Sequence, residues 1–196
     1  MTPASATTQV LVHADESCLG NDRSKPSPGG NAALVEAAAG DSVARWDLFE
    51  SSPQTTNNRM ALAGAIATLE WLHRQWKHAH VRYVSDSEYL VKGVTEWLPG
   101  WKARGWKRKG GEIENLLLWQ KLDQARQGLD IHWGWVRGHN DVPKNEYADF
   151  LAVRAAEQQE RSNGLVPSGF DTWLAQQQAR GKYAGYDPDG EVHERP

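Results

Sequence analysis

The stretch Val10-Leu11-Val12-His13-Ala14-Asp15-Glu16-Ser17-Cys18-Leu19-Gly20-Asn21 decides the fold. Its apolar run predicts a buried strand from Val10 to Glu16, which brings Asp15 to its end. A second run, Val81-Arg82-Tyr83-Val84-Ser85-Asp86-Ser87, does the same for Asp86. A third carboxylate, Asp149, lies beyond Pro143 in a helix that a first-turn proline suits. A lone Asp after a strand is usually a turn former, and one on a helix is usually just solvated. Two strand-end carboxylates and a helical one can instead converge at the mouth of a sheet. Clustered carboxylates repel one another, so such a site calls for cations, usually magnesium.

Outward from these runs, Asn31 to Ala38 and Ser42 to Glu50 are predicted strands around an Ala39-Gly40-Asp41 turn. Asn57 or Asn58 is expected to cap a helix reaching about residue 77, with Ala61, Ala65, Leu69 and Leu72 on one face. A strand from His80 to Asp86 and a short helix from Ser87 to about Val94 follow. Glu112 to Gly128 is amphipathic, with Leu116, Trp119, Leu122 and Ala125 in phase. Asp130 to Val136 alternates, placing Ile131, Trp133 and Trp135 on one face. The last helix runs to about Gln159. Three leading strands without helices suggest an antiparallel meander, and later strands separated by helices suggest parallel pairing. The expected architecture is α/β, a mixed five-stranded sheet flanked by helices.

With 196 residues, one domain over 9–160 is expected, with a flexible terminus at 1–8 and a polar extension at 161–196. The extension holds too few apolar residues for a core of its own, so it is expected to be dispensable for fold and binding. The competing expectation is a small amphipathic helix on Phe170, Trp173 and Leu174, docked on the domain. A net charge of −3 gives no global reason to expect nucleic acid, so any basic surface must be local. The single Cys18 excludes an internal disulfide. No apolar run approaches the ~18 residues of a membrane span, and the first ten residues lack a signal core. A cytoplasmic monomer with no membrane partner is the expectation.

The blocks Asp15 to Asn21, Thr55-Thr56-Asn57-Asn58-Arg59-Met60-Ala61-Leu62, Ser85 to Tyr89 and Gly138 to Asp149, in this order, resemble ribonuclease H of the bacterial type 1 form. The resemblance spans about residues 9 to 157 and implies the ribonuclease H-like fold. It further implies hydrolysis of the RNA strand of RNA/DNA hybrids, leaving a 5′-phosphate and a 3′-hydroxyl. Asp15, Asp86 and Asp149 would hold two magnesium ions, with manganese as a possible substitute, and His139 would assist proton transfer or product release. Cys18, Gly20, Asn21, Thr56, Asn57, Asn58 and Glu88 would contact the substrate. The Asn pair would reach 2′-hydroxyls, and Thr56 a DNA phosphate. Capping is the ordinary role of such Asn residues.

Residues 97 to 109 pack five cations and three Trp into 13 positions of an acidic chain. A charge run is usually a solvated face. By resemblance this segment is the protrusion that grips DNA, with Lys102, Arg104, Lys107 and Arg108 on phosphates and Trp97, Trp101 and Trp106 against sugars.

The chain departs from the family pattern at several places. The position of the family's catalytic Glu, on the first helix, holds Ala61. A methyl group cannot bind a metal, so the site is expected to be slow or inactive, whether disabled deliberately or impaired naturally. Ala61→Glu would then raise cleavage at least ~100-fold. A non-catalytic hybrid-binding module of the same fold is the alternative. Glu16 stands where the family has Gly; strand alternation points it away from Asp15, so it is not expected to replace the missing carboxylate. Glu88 stands where the family often has Gln, and it loses donors for base edges. The loop of residues 22 to 27 is longer than the family's turn.

Overall fold

A computed structural model describes residues 8–20, 27–40, 42–76, 78–138 and 141–192. Expectations for the N-terminus, Asn21, residues 22 to 26 and His139 lie outside them. Strands β1 (Thr8–Cys18), β2 (Ser27–Ala39) and β3 (Ser42–Thr55) form the antiparallel meander. Helix α1 (Asn57–Gln75) leads to β4 (Ala79–Ser85), which pairs parallel with β1. Helix α2 (Glu88–Lys92) continues through a π-helical turn, Gly93–Trp97, into α3 (Leu98–Ala103), a longer helical run than the sequence predicts. Helix α4 (Leu116–Ala125), strand β5 (Asp130–Trp135) and helix α5 (Pro143–Gln158) complete the expected set. Strand β5 pairs parallel with β4.

The sheet has six strands, in the order β5-β4-β1-β2-β3-β6. The sixth, β6 (Val166–Pro167), comes from the C-terminal extension and pairs antiparallel with Trp46 and Asp47 of β3. Helix α6 (Phe170–Ala179) follows, and a 3-10 turn spans Gly190–Val192.

Both faces of the sheet are covered, which is why β1 and β2 read as continuous apolar runs rather than alternating ones. One core holds Val10, Val12, Ala33, Val35, Val81 and Tyr83 with Leu62, Leu69 and Leu72 of α1 and Trp119 and Leu122 of α4. The other holds Ala32 and Leu34 with Tyr147 and Leu151 of α5 and Phe170 and Leu174 of α6. The extension is therefore docked, not loose. Phe170 is fully buried and Leu174 nearly so. This packing agrees with the competing expectation of a docked helix on Phe170, Trp173 and Leu174: a segment too poor in apolar residues for its own core completes its neighbour's. No helix among the described residues is long and apolar enough to cross a membrane.

Candidate active site

Asp15 sits near the C-terminal end of β1 and is almost fully buried. Its Oδ2 accepts the side-chain amide of Asn145 on α5 at 3.1 Å, and its Oδ1 accepts the Glu16 backbone N–H at 2.7 Å. Asp15 pairs with Ala32 and Glu16 with Asn31 in the β1–β2 register. Ala32 belongs to the core under α5, whereas Asn31 lies against Gly64 of α1. The two acidic side chains thus leave the strand on opposite faces, as alternation requires.

They nevertheless meet. One carboxylate oxygen from each of Asp15, Glu16 and Asp86 lies within 4.8 Å of the others. The pairing of β1 with β4 stops at Ala14 and Ser85, so on that side nothing separates the two faces, and Asp86, just beyond β4, joins them. The opposite pointing expected of Glu16 holds, yet its carboxylate still reaches the cluster. Asp149 is near enough to raise the Asp15 pKa by its charge. Ala61 is buried on α1 and packs within the core.

The electrostatics match the crowding. Burial first, then the charges of Asp86, Glu16 and Asp149, push the Asp15 carboxyl up to about 9. Burial and Asp86 push Glu16 up to about 8, against a hydrogen bond from Ser87 that works the other way. Carboxylates this crowded repel one another. Oxygen-only donors in close array suit a hard divalent cation, so the residues fit a metal.

Gly138 lies close against Asp86: a Cβ there would sit 2.4 Å from Asp86 Oδ2, so a side chain at this position would push the carboxylate aside. Trp135 donates its indole N–H to the Asp86 carbonyl at 3.0 Å, with the ring about half exposed. That bond explains why Trp135 leaves the core that Ile131 and Trp133 join.

A groove of about 540 Å³ opens from Glu16 and is lined by Cys18, Gly20, Thr56, Asn57, Asn58 and Glu88, together with Ser87 and Tyr89. Thr56, not either Asn, caps α1: its Oγ1 accepts the Arg59 N–H at 3.4 Å. Both Asn side chains are thereby relieved of capping. Glu88 is paired with Lys92 at 2.7 Å, one turn along the helix. A second groove of about 490 Å³ shares Tyr89 and Glu114 with the first and runs to Trp97, Trp101, Arg104 and Arg108. Glu16 of the acidic cluster and Arg104 and Arg108 of the basic segment thus line adjoining grooves that share two wall residues.

The basic segment divides. Arg104 and Arg108 line the groove, but Lys102 turns to Asp123 of α4 at 2.8 Å. Trp101 is nearly buried, tilted against Trp97 and edge-on to Trp119, so it serves the scaffold more than a sugar face. Trp106 packs against the core, and Lys107 is exposed outside both grooves. Sequence reasoning missed Asn145, Tyr89 and Trp135. Asn145 was findable: it precedes Asp149 by one helical turn and shares its face.

The family model described as RNase H matches residues 7–157. The chain is 44% identical over 150 residues to the ribonuclease H of Cupriavidus necator, covering 76% of this chain and 96% of that protein. It is 41% identical over 156 residues to that of Alcanivorax borkumensis, covering 79% and 96%. The solved structure of LC9-RNase H1, described as a type 1 RNase H with the type 2 active-site motif, is 44% identical. It superposes with a TM-score of 0.86 over 97% of this chain and 93% of that one. LC11-RNase H1, solved in complex with an RNA/DNA hybrid, shares the fold at 17% identity and a TM-score of 0.55, over 76% of this chain and 98% of that one.

Proposed function

Since the chain belongs to the ribonuclease H family of hydrolases, we propose that it cleaves the RNA strand of RNA/DNA hybrids through a site in which Glu16 supplies the carboxylate that Ala61 lacks. One observation carries this reading: the Glu16 carboxylate lies with Asp15 and Asp86 inside a 4.8 Å cluster. The resemblance to a relative described as carrying a type 2 motif on a type 1 framework supports a rearranged acidic set.

In this reading Asp15, Glu16, Asp86 and Asp149 hold the metal. Bound divalent cations, two magnesium ions or manganese in their place, supply an activated water and neutralise charge at the departing oxygen. Asn145 orients Asp15, and the Trp135 indole holds the Asp86 backbone. Asn57 and Asn58 present amides to the groove where a ribose 2′-hydroxyl distinguishes RNA from DNA. Arg104 and Arg108 take the partner DNA strand's phosphates. His139 assists proton movement or product release, and the chain works as a cytoplasmic monomer.

Cleavage of an end-labelled hybrid with magnesium tests the reading, comparing the chain with Glu16→Gln and Ala61→Glu. Activity that depends on Glu16 supports it. A chain inert until Ala61→Glu is introduced would return the site to the disabled form, and inertness in both would favour a binding module.

A further inference from the structure

The first turn of α5 is gripped from the C-terminal extension at three successive points. Lys144 is fully buried, with its ammonium 2.8 Å from Glu36 of β2 and 3.5 Å from Glu191 of the extension. Glu191 is itself held by Arg82 of β4 at 3.2 Å. Glu146 accepts a hydrogen bond from the Tyr183 hydroxyl and has Lys182 at 3.9 Å, both in the extension. Tyr147 donates to Asp47 at 2.7 Å, and Asp47 also accepts Ser168 Oγ at 2.6 Å and the Gly169 N–H at 3.1 Å. The Tyr147 ring packs on Phe170 and Trp173, with centroids 5.3 and 5.4 Å away.

Between these grips lies Asn145, the residue that touches Asp15, and one turn onward lies Asp149. A helix N-terminus is ordinarily the end most free to fray, since its first N–H groups lack intrahelical partners. Val142, at the capping position, offers no side-chain bond. The extension replaces the missing cap with side-chain contacts.

We infer that the segment from residue 162 to 192 is a positioning brace for the acidic site: it fixes the first turn of α5, and with it Asn145 and Asp149, so that the site binds its cations. The inference rests on the metal-site reading above. Tyr183 and Glu191 are positioning residues, since neither belongs to the cluster itself. Partners behind metal ligands typically cost 10–100-fold in affinity or activity when removed, so about tenfold is the scale expected.

The test uses the full chain with Tyr183→Phe and Glu191→Gln, singly and together. Phe keeps the ring that packs beside Trp173, and Gln keeps the shape of Glu191. Manganese affinity is measured by calorimetry without substrate, and kcat and KM on a hybrid are measured separately. Leu72→Ala, a buried position at the far end of α1, controls for lost stability at a temperature where every variant is folded. The brace predicts manganese binding about tenfold weaker in the double variant, kcat lowered and KM little changed, with Leu72→Ala unaffected. Unaltered manganese affinity in the double variant overturns it, whatever happens to melting temperature. So does an equal loss in Leu72→Ala. If the parent chain fails to cleave the hybrid, the proposed activity falls, and the manganese measurement still decides the brace.

Discussion

Asn145 of α5 donates its amide to Asp15 of β1 at 3.1 Å, joining a helix to a strand through two buried side chains. The bond spans the two elements that contribute Asp149 and Asp15. Replacing Asn145 with Ala removes the side-chain donor to Asp15 Oδ2 and leaves the Glu16 N–H on Oδ1. Expected is a fall in kcat of about 10–100-fold with KM within a few-fold, from steady-state cleavage of a hybrid. An unchanged kcat would show that the cation alone orients Asp15.

Glu16 and Ala61 compete for one role. Glu16→Gln keeps the shape and removes the charge, and is expected to cost at least ~100-fold in kcat, about 2.7 kcal/mol of barrier. Ala61→Glu places a carboxylate at a buried position packed within the hydrophobic core. It should lower the melting temperature of the metal-free chain and bring no comparable gain in rate. A hundredfold gain from that change would refute the substitution by Glu16.

The acidic cluster also sets a pH dependence. Asp15 and Glu16 titrate near 9 and 8 in the folded chain, against ordinary values near 4. Between those limits the folded state keeps protons that the unfolded state has released. Stability from these groups is therefore full below about pH 4 and is lost as pH rises toward 9. The metal-free melting temperature should fall from pH 5 to pH 9, and saturating magnesium should flatten the curve by taking the place of the protons. Asp15→Asn should flatten it as well. Parallel curves for the parent and Asp15→Asn would exclude the cluster as the source.

The divided basic segment predicts different salt responses. Arg104→Ala with Arg108→Ala should weaken hybrid binding and reduce the slope of log affinity against log salt by up to about 0.9 per lost contact. Lys102→Ala should leave the slope unchanged, because Lys102 is committed to Asp123. Filter-binding titrations across a salt series distinguish the two. A slope lowered by Lys102→Ala would mean that the ion pair opens for the substrate.

Much of this molecule was legible in residue order. The runs ending at Asp15 and Asp86 gave their strands, and the phase of Leu116, Trp119 and Leu122 gave α4. Three features were hidden for physical reasons. The reach of Glu16 was hidden because alternation gives the face from which a side chain leaves the strand and does not show that the β4 pairing stops at Ala14 and Ser85, opening that edge. Thr56 took the cap expected of Asn57 or Asn58, since all three can accept the same N–H and only the entry of the chain selects one. The spacing of Phe170, Trp173 and Leu174 offered a docked helix as one of two readings of the extension, and spacing alone does not show the partner surface that decides between them.

The π-helical turn at Gly93–Trp97 has a consequence for how this chain tolerates insertions and deletions. There the Leu98 N–H reaches back to the Gly93 carbonyl, and Gly93 lies so close to Trp119 that a Cβ would sit 2.0 Å from the indole ring. The widened turn holds one residue more than an α-helix would. Deleting a single residue within it would restore α-helical winding and leave the downstream residues close to their present phase, because a π-turn winds fewer degrees per residue and absorbs the extra one. Trp101 and Arg104 would then keep their aim. The turn is thus a place where a one-residue change in chain length is absorbed, whereas a side chain at Gly93 would collide with the Trp119 ring.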